Sequence, residues 1–111
     1  MAYTENMVII ETATFTRQVK SLFSDDEYRK LQNELLARPD AGDLIPGSGG
    51  LRKIRWKGSG RGKRGGTRII YYWFVQHHTV LMLLLYPKSK QDDLTSQQLK
   101  ILQQLVEREF S

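Results

Sequence analysis

The chain has no cysteine, only three prolines and only two histidines in 111 residues. Without cysteine there is no disulfide framework, no thiol nucleophile and no cysteine-ligated zinc or iron–sulfur centre. The histidines are adjacent, in a Gln76-His77-His78 turn, and neighbours on a turn are badly placed as an acid–base pair. No Ser–His–Asp set and no carboxylate cluster suggests nucleophilic or metal chemistry, so no metal site and no cofactor is expected. Long hydrophobic runs are missing too. The longest, Thr79 to Pro87, falls far short of the roughly 20 residues a membrane span needs. Glu5 precedes the first apolar run, which argues against a secretory leader and fits a cytoplasmic chain. What remains is a globular composition, 40% hydrophobic and 26% charged, of a length that fits one domain over 1–111.

Acids are absent from the middle of the chain. Residues 1–43 hold five basic and eight acidic side chains, and residues 92–111 hold two and four. Between Asp43 and Asp92 there is no carboxylate in 48 residues, while Arg52, Lys53, Arg55, Lys57, Arg61, Lys63, Arg64, Arg68, Lys88 and Lys90 give that stretch a charge of +10. A one-sign field on a small domain favours a polyanionic partner, and nucleic acid is the commonest.

Local patterns place these cations. Met7 to Ile10 reads as a buried first strand. Phe15, Val19 and Leu22 share one face of a short helix capped by Thr12 or Thr14. Ser24 and Glu27 have capping-box spacing ahead of Tyr28, Leu31 and Leu35, and Arg38-Pro39 ends this second helix, so the two form a hairpin. Residues 39–50 have loop composition. Leu51 to Trp56 alternates, with Leu51, Lys53 and Arg55 on one face and Arg52, Ile54 and Trp56 on the other. Thr67 to Val75 and Val80 to Tyr86 are further strands, the three making an antiparallel meander. Leu94 to Phe110 closes the chain as a helix with a Thr95–Gln98 capping box and a stripe of Leu99, Leu102, Leu105 and Val106. The order predicts an α+β domain with its helices on one sheet face. The other face is then free for a cationic groove built from Arg52, Lys53, Arg55, Arg68, Lys88 and Lys90, with Tyr72 near enough to stack on a base.

The glycine-rich stretch 57–66 is not a Walker loop, because Gly58 stands three residues before Gly62-Lys63 and Arg64 follows. "GKRG" at 62–65 has the form of a KH clamp but joins two strands, not two helices. The plain reading is a basic hairpin tip whose Lys57, Arg61, Lys63 and Arg64 can follow a phosphate backbone.

The block "LRKIRW…GKRGG.RIIYYW", within residues 47–73, resembles the RelE/ParE superfamily of bacterial toxins, most of all the HigB-type branch of toxin–antitoxin systems. "LLLLYPKSKQDDLT" at 82–95 fits the same branch. The resemblance implies a RelE-like fold: a first strand and helical hairpin, then a three-strand antiparallel meander and a C-terminal helix. It implies a type II toxin that enters the ribosomal A site, cuts the mRNA there and so inhibits translation. It also implies a cognate antitoxin, which in HigB-type pairs usually carries a helix-turn-helix DNA-binding domain and often docks away from the groove. Lys53, Arg55 and Arg68 occupy the family's active-site positions on the second and third strands. Where the family has a further arginine, this chain has Lys88, Ser89 and Lys90. The RelE tyrosine near the C-terminus falls where Thr95 stands, and the histidines and acid of other HigB toxins find no match. The implied reaction is attack of a ribose 2′-hydroxyl on the adjacent phosphate, giving a 2′,3′-cyclic phosphate and a free 5′-hydroxyl without metal. Arg68 suits the phosphate and Lys53 or Lys88 the base. Two other readings stay open: a ParE-like gyrase poison, and a basic RNA-binding module without chemistry.

Overall fold

Thr12, rather than Thr14, starts the first helix. Its Oγ1 accepts from the Phe15 N–H and donates to the Leu83 carbonyl, so one hydroxyl caps a helix and ties it to the sheet. Ser24 Oγ likewise accepts from the Glu27 N–H and opens the second helix after a two-residue break. The computed structural model describes residues 7–57 and 66–110. Within them the order is β1 (Val8–Glu11), α1 (Ala13–Leu22), α2 (Asp25–Ala37), β2 (Asp43–Leu44), β3 (Leu51–Trp56), β4 (Thr67–Phe74), β5 (Thr79–Pro87) and α3 (Ser96–Phe110). A single 3₁₀ turn, Val75–His77, links β4 to β5.

The sheet has five strands in the order β1-β5-β4-β3-β2. The expected meander is its centre, and β1 adds in parallel to β5. Two features differ from the sequence reading. Asp43–Leu44, inside the expected loop, pairs antiparallel with β3 and becomes one sheet edge. β1 is the other edge, so only alternate residues face the core. Ile9 packs inward while Val8 and Ile10 remain 51% and 47% exposed, and the strand is not buried throughout.

The helices do not share one face. The α1–α2 hairpin sets Phe15, Val19, Phe23, Leu31 and Leu35 against Ile54, Ile69, Tyr71, Val80, Met82 and Leu85. Helix α3 lies on the opposite face, where Leu102 and Leu99 pack over Leu51, Ile70, Leu81 and Leu83. A bulge in β5 serves this arrangement. Ile70 pairs with Leu84 and Tyr71 with Met82, which leaves Leu83 as the extra residue. Leu83 and Leu84 both belong to the α3 side, while Met82 and Leu85 face the hairpin. The sheet is thus apolar on both faces over its central strands, as their continuous hydrophobic runs require.

Candidate functional site

Strand register gathers Lys53, Arg55 and Arg68 at one end of the α3-covered face. Arg55 stands directly opposite Arg68, and Arg68 opposite Tyr86, so these three form a row across β3, β4 and β5. In the next row Lys53 stands between Asp43 and Ile70. Facing residues in adjacent strands share a sheet face, and two guanidiniums in such a pair repel. The structure offsets the repulsion with acids from outside the carboxylate-free stretch. Lys53 Nζ donates to Asp93 Oδ1 at 2.7 Å, and Arg68 Nη2 donates to Asp92 Oδ1 at 3.4 Å. Arg55 Nη1 is 4.0 Å from Asp43 Oδ2.

Asp92 and Asp93 belong to the turn between β5 and α3, which hydrogen bonds hold firmly. The Lys90 and Gln91 N–H groups donate to the Pro87 carbonyl, and Gln91 Nε2 donates to the Asp93 carbonyl and to Gln98 Oε1. Thr95 and Gln98 form the reciprocal capping box of α3. The acidic turn is thus clamped between the end of a strand and the start of a helix.

A cleft of about 410 Å³ opens beside this cluster. Lys53, Arg55, Asp43 and Asp93 supply its polar groups, and Ile45, Pro46, Leu94 and Leu99 its apolar wall. The Lys53 ammonium holds the Asp93 carboxyl below the usual aspartate range, with help from Arg55 and Arg68. Burial pushes the Tyr86 phenol up, as does the Asp93 charge, against an opposing effect of Arg68.

Several expectations change. Lys53, Arg55 and Arg68 do not lie on an uncovered sheet face; they lie on the face that α3 covers, beside the segment that leads into the helix. The field there is not of one sign, because each of Lys53, Arg55 and Arg68 has a carboxylate facing it. Arg68 is not an open phosphate fork: its side chain is 5% exposed, beneath Asp92 and beside Tyr86. Lys53 is not surrounded by cations alone: its Nζ meets Asp93 Oδ1 at 2.7 Å. Arg52 points to the hairpin side, where Nη1 donates to the Gly42 carbonyl at 2.8 Å and to the Asp40 carbonyl at 3.3 Å. Tyr72 lies four residues along β4 from Arg68, about 13 Å away, and stacks with Phe74 over Gly50. Lys88 and Lys90 are exposed in the turn after β5, and Lys57 is exposed after β3. The Lys88 N–H donates to the Gly66 carbonyl, which puts that turn beside the base of the glycine-rich loop. Arg61, Lys63 and Arg64 lie outside the described residues.

Asp43, Asp92, Asp93 and Tyr86 are the site residues that sequence reasoning missed. The signal was present: the three acids bound the carboxylate-free stretch on either side. No group of three metal-ligating side chains occurs among the described residues, and no helix among them is long and apolar enough to cross a membrane.

No protein-family model matches the chain. Among solved structures it is similar to a free-state mutant of the E. coli toxin RelE, at 15% identity over 79% of this chain and 90% of that one, with a TM-score of 0.57. It is similar to a chain of the intact E. coli RelBE toxin–antitoxin complex, at 18% identity over 72% and 94% with a TM-score of 0.56. A chain of the archaeal RelE–RelB complex from Pyrococcus horikoshii matches at 21% identity over 78% and 99%, with a TM-score of 0.50. The fold is that of the RelE toxins.

Proposed function

We propose that this protein is the toxin of a toxin–antitoxin pair, of the HigB-type branch, and that it cuts mRNA on the ribosome and inhibits translation. The observation that carries the reading is the convergence of Lys53, Arg55 and Arg68 from two neighbouring strands beside one open cleft, within a RelE fold. Strand-held cations are preorganised, and fixed charge aimed at a phosphate is the main requirement of metal-free RNA cleavage. In this reading the exposed Arg55 and the largely covered Lys53, which lines the cleft, meet the scissile phosphate. Arg68 supplies fixed positive charge from beneath, favouring the dianionic phosphorane over the ground-state monoanion. Lys88, two residues past Tyr86, is the candidate base: it takes the 2′-hydroxyl proton as the 2′-oxygen bonds to phosphorus, the P–O5′ bond breaks, and the 5′-oxygen leaves as a hydroxyl with a proton drawn from water. Lys57, Lys90 and the basic loop (Arg61, Lys63, Arg64) attract the backbone. In this reading the ribosome supplies the orientation of the mRNA, and positioning carries much of the barrier. Two of the similar structures are complexes with RelB, and a cognate antitoxin with a helix-turn-helix domain is the proposed partner here.

Induced expression in a bacterial host tests this. Methionine incorporation should stop at once while plasmid supercoiling stays normal. Arrest with trapped gyrase–DNA complexes and continuing protein synthesis would replace this reading with a ParE-like one.

A further inference from the structure

The two carboxylates of the acidic turn are not equivalent. Asp92 is itself 62% exposed, but it faces Arg68, whose side chain is 5% exposed and which water barely reaches, so withdrawing Asp92 removes a counter-charge that solvent replaces poorly. Asp93 is 76% exposed and its partner Lys53 opens onto the cleft. Lys53 itself is only 16% exposed, but it lines the open cleft and its carboxylate partner is solvated, so an entering anion can take the place of that carboxylate. The backbone of the turn is fixed by the Pro87, Gln91 and Gln98 bonds, so the Asp93 side chain can swing away while the turn and Asp92 stay in place. An Asp93 oxygen therefore sits where an anionic oxygen of a ligand would bind Lys53.

Resting on the RNA reading above, we infer that Asp93 is an exchangeable counter-anion: it occupies the phosphate position on Lys53, and a phosphodiester binds by displacing it while Asp92 keeps Arg68 in place. The free protein thereby shields its cation from other polyanions until a backbone enters the cleft. Exchange also explains how a locally neutral cluster can serve a basic protein. The exposed lysines bring RNA near, and the phosphate then competes with one tethered carboxylate.

The test is the affinity of the full chain for a fluorescein-labelled 2′-O-methyl RNA 12-mer, which lacks the hydroxyl needed for cleavage, read by fluorescence anisotropy. Asp93→Asn should bind about 1.5- to 5-fold tighter than wild type, the range for removing one competing ion pair at the surface of the cleft. Glu107→Gln makes the same change in net charge on an exposed site about three turns along α3, and should gain less than half of that. Asp92→Asn should gain nothing and should melt at a lower temperature. Equal gains for Asp93→Asn and Glu107→Gln, no binding by any of these proteins, or tighter binding by Asp92→Asn with an unchanged Tm would each overturn the inference. The probe reports binding alone. A selective gain for Asp93→Asn in a protein that never cuts ribosome-bound mRNA would support the exchange and remove the nuclease reading.

Discussion

Tyr71→Phe removes one oxygen atom and should loosen one wall of the cleft. Tyr71 is fully buried on the hairpin side of β4. Its hydroxyl donates to the Pro39 carbonyl at 2.7 Å and accepts from the Gly42 N–H at 2.8 Å. These bonds pin the end of α2 to the sheet and set the start of β2, from which Asp43 and the neighbouring Ile45 and Pro46 line the cleft. The fit is close: a Cβ on Gly42 would come within 2.8 Å of the Tyr71 ring. Phenylalanine fills the ring space but leaves a buried N–H and a carbonyl unpaired, each costing about 1–3 kcal/mol. Some relaxation toward water at the loop puts the total near 2–3 kcal/mol. With an unfolding entropy of about 2.1 cal/mol/K per residue, 111 residues convert this to a fall of roughly 9–13 °C in Tm. Calorimetry reads it directly, and chemical denaturation should show the same loss with an unchanged m-value. A loss below about 0.5 kcal/mol would refute the claim that this hydroxyl organises the α2–β2 connection.

Arg68→Met keeps the buried volume and removes the charge; it should fold with a Tm near wild type and lose toxicity on induced expression, and full toxicity would remove Arg68 from the site. Stability should also fall at alkaline pH. Tyr28, Tyr71 and Tyr86 all have raised pKa values in the fold, chiefly by burial, with the Glu11 hydrogen bond adding to the effect at Tyr28. The unfolded chain then loses these protons first, near pH 10, so the stabilisation is complete below that pH and is lost as pH rises toward the folded values. Urea titrations between pH 8 and 11 should show it, and phenolate absorbance should report these rings only as the protein unfolds.

Local signals were legible because they act over three or four residues. The Ser24 and Thr95 caps, the Arg38-Pro39 stop and the alternation of Leu51, Lys53 and Arg55 all appear as the sequence placed them. The face covered by α3 was not legible. It depends on the direction in which the 88–95 turn leaves β5 and on the Leu83 bulge that puts two successive leucines on one side. Strand β2 is only two residues and exists because β3 offers it an edge. The ion pairs escaped for a related reason. Lys53 and Asp93 are 40 residues apart, and Arg68 and Asp92 are 24 apart, so composition saw a basic segment where the fold makes a nearly neutral cluster. Arg68 carried a warning in its own strand: it opens the run Ile69 to Phe74, whose continuous apolar character demands burial on both faces.

Ribosomes programmed with a defined mRNA, incubated with the purified protein and read by primer extension, test the central claim most directly. The account predicts discrete cuts within codons at the A site, a 2′,3′-cyclic phosphate on the upstream fragment, and the same mRNA left largely intact without ribosomes. Equal cutting of naked RNA, or intact mRNA on ribosomes at protein concentrations that arrest growth, would contradict it.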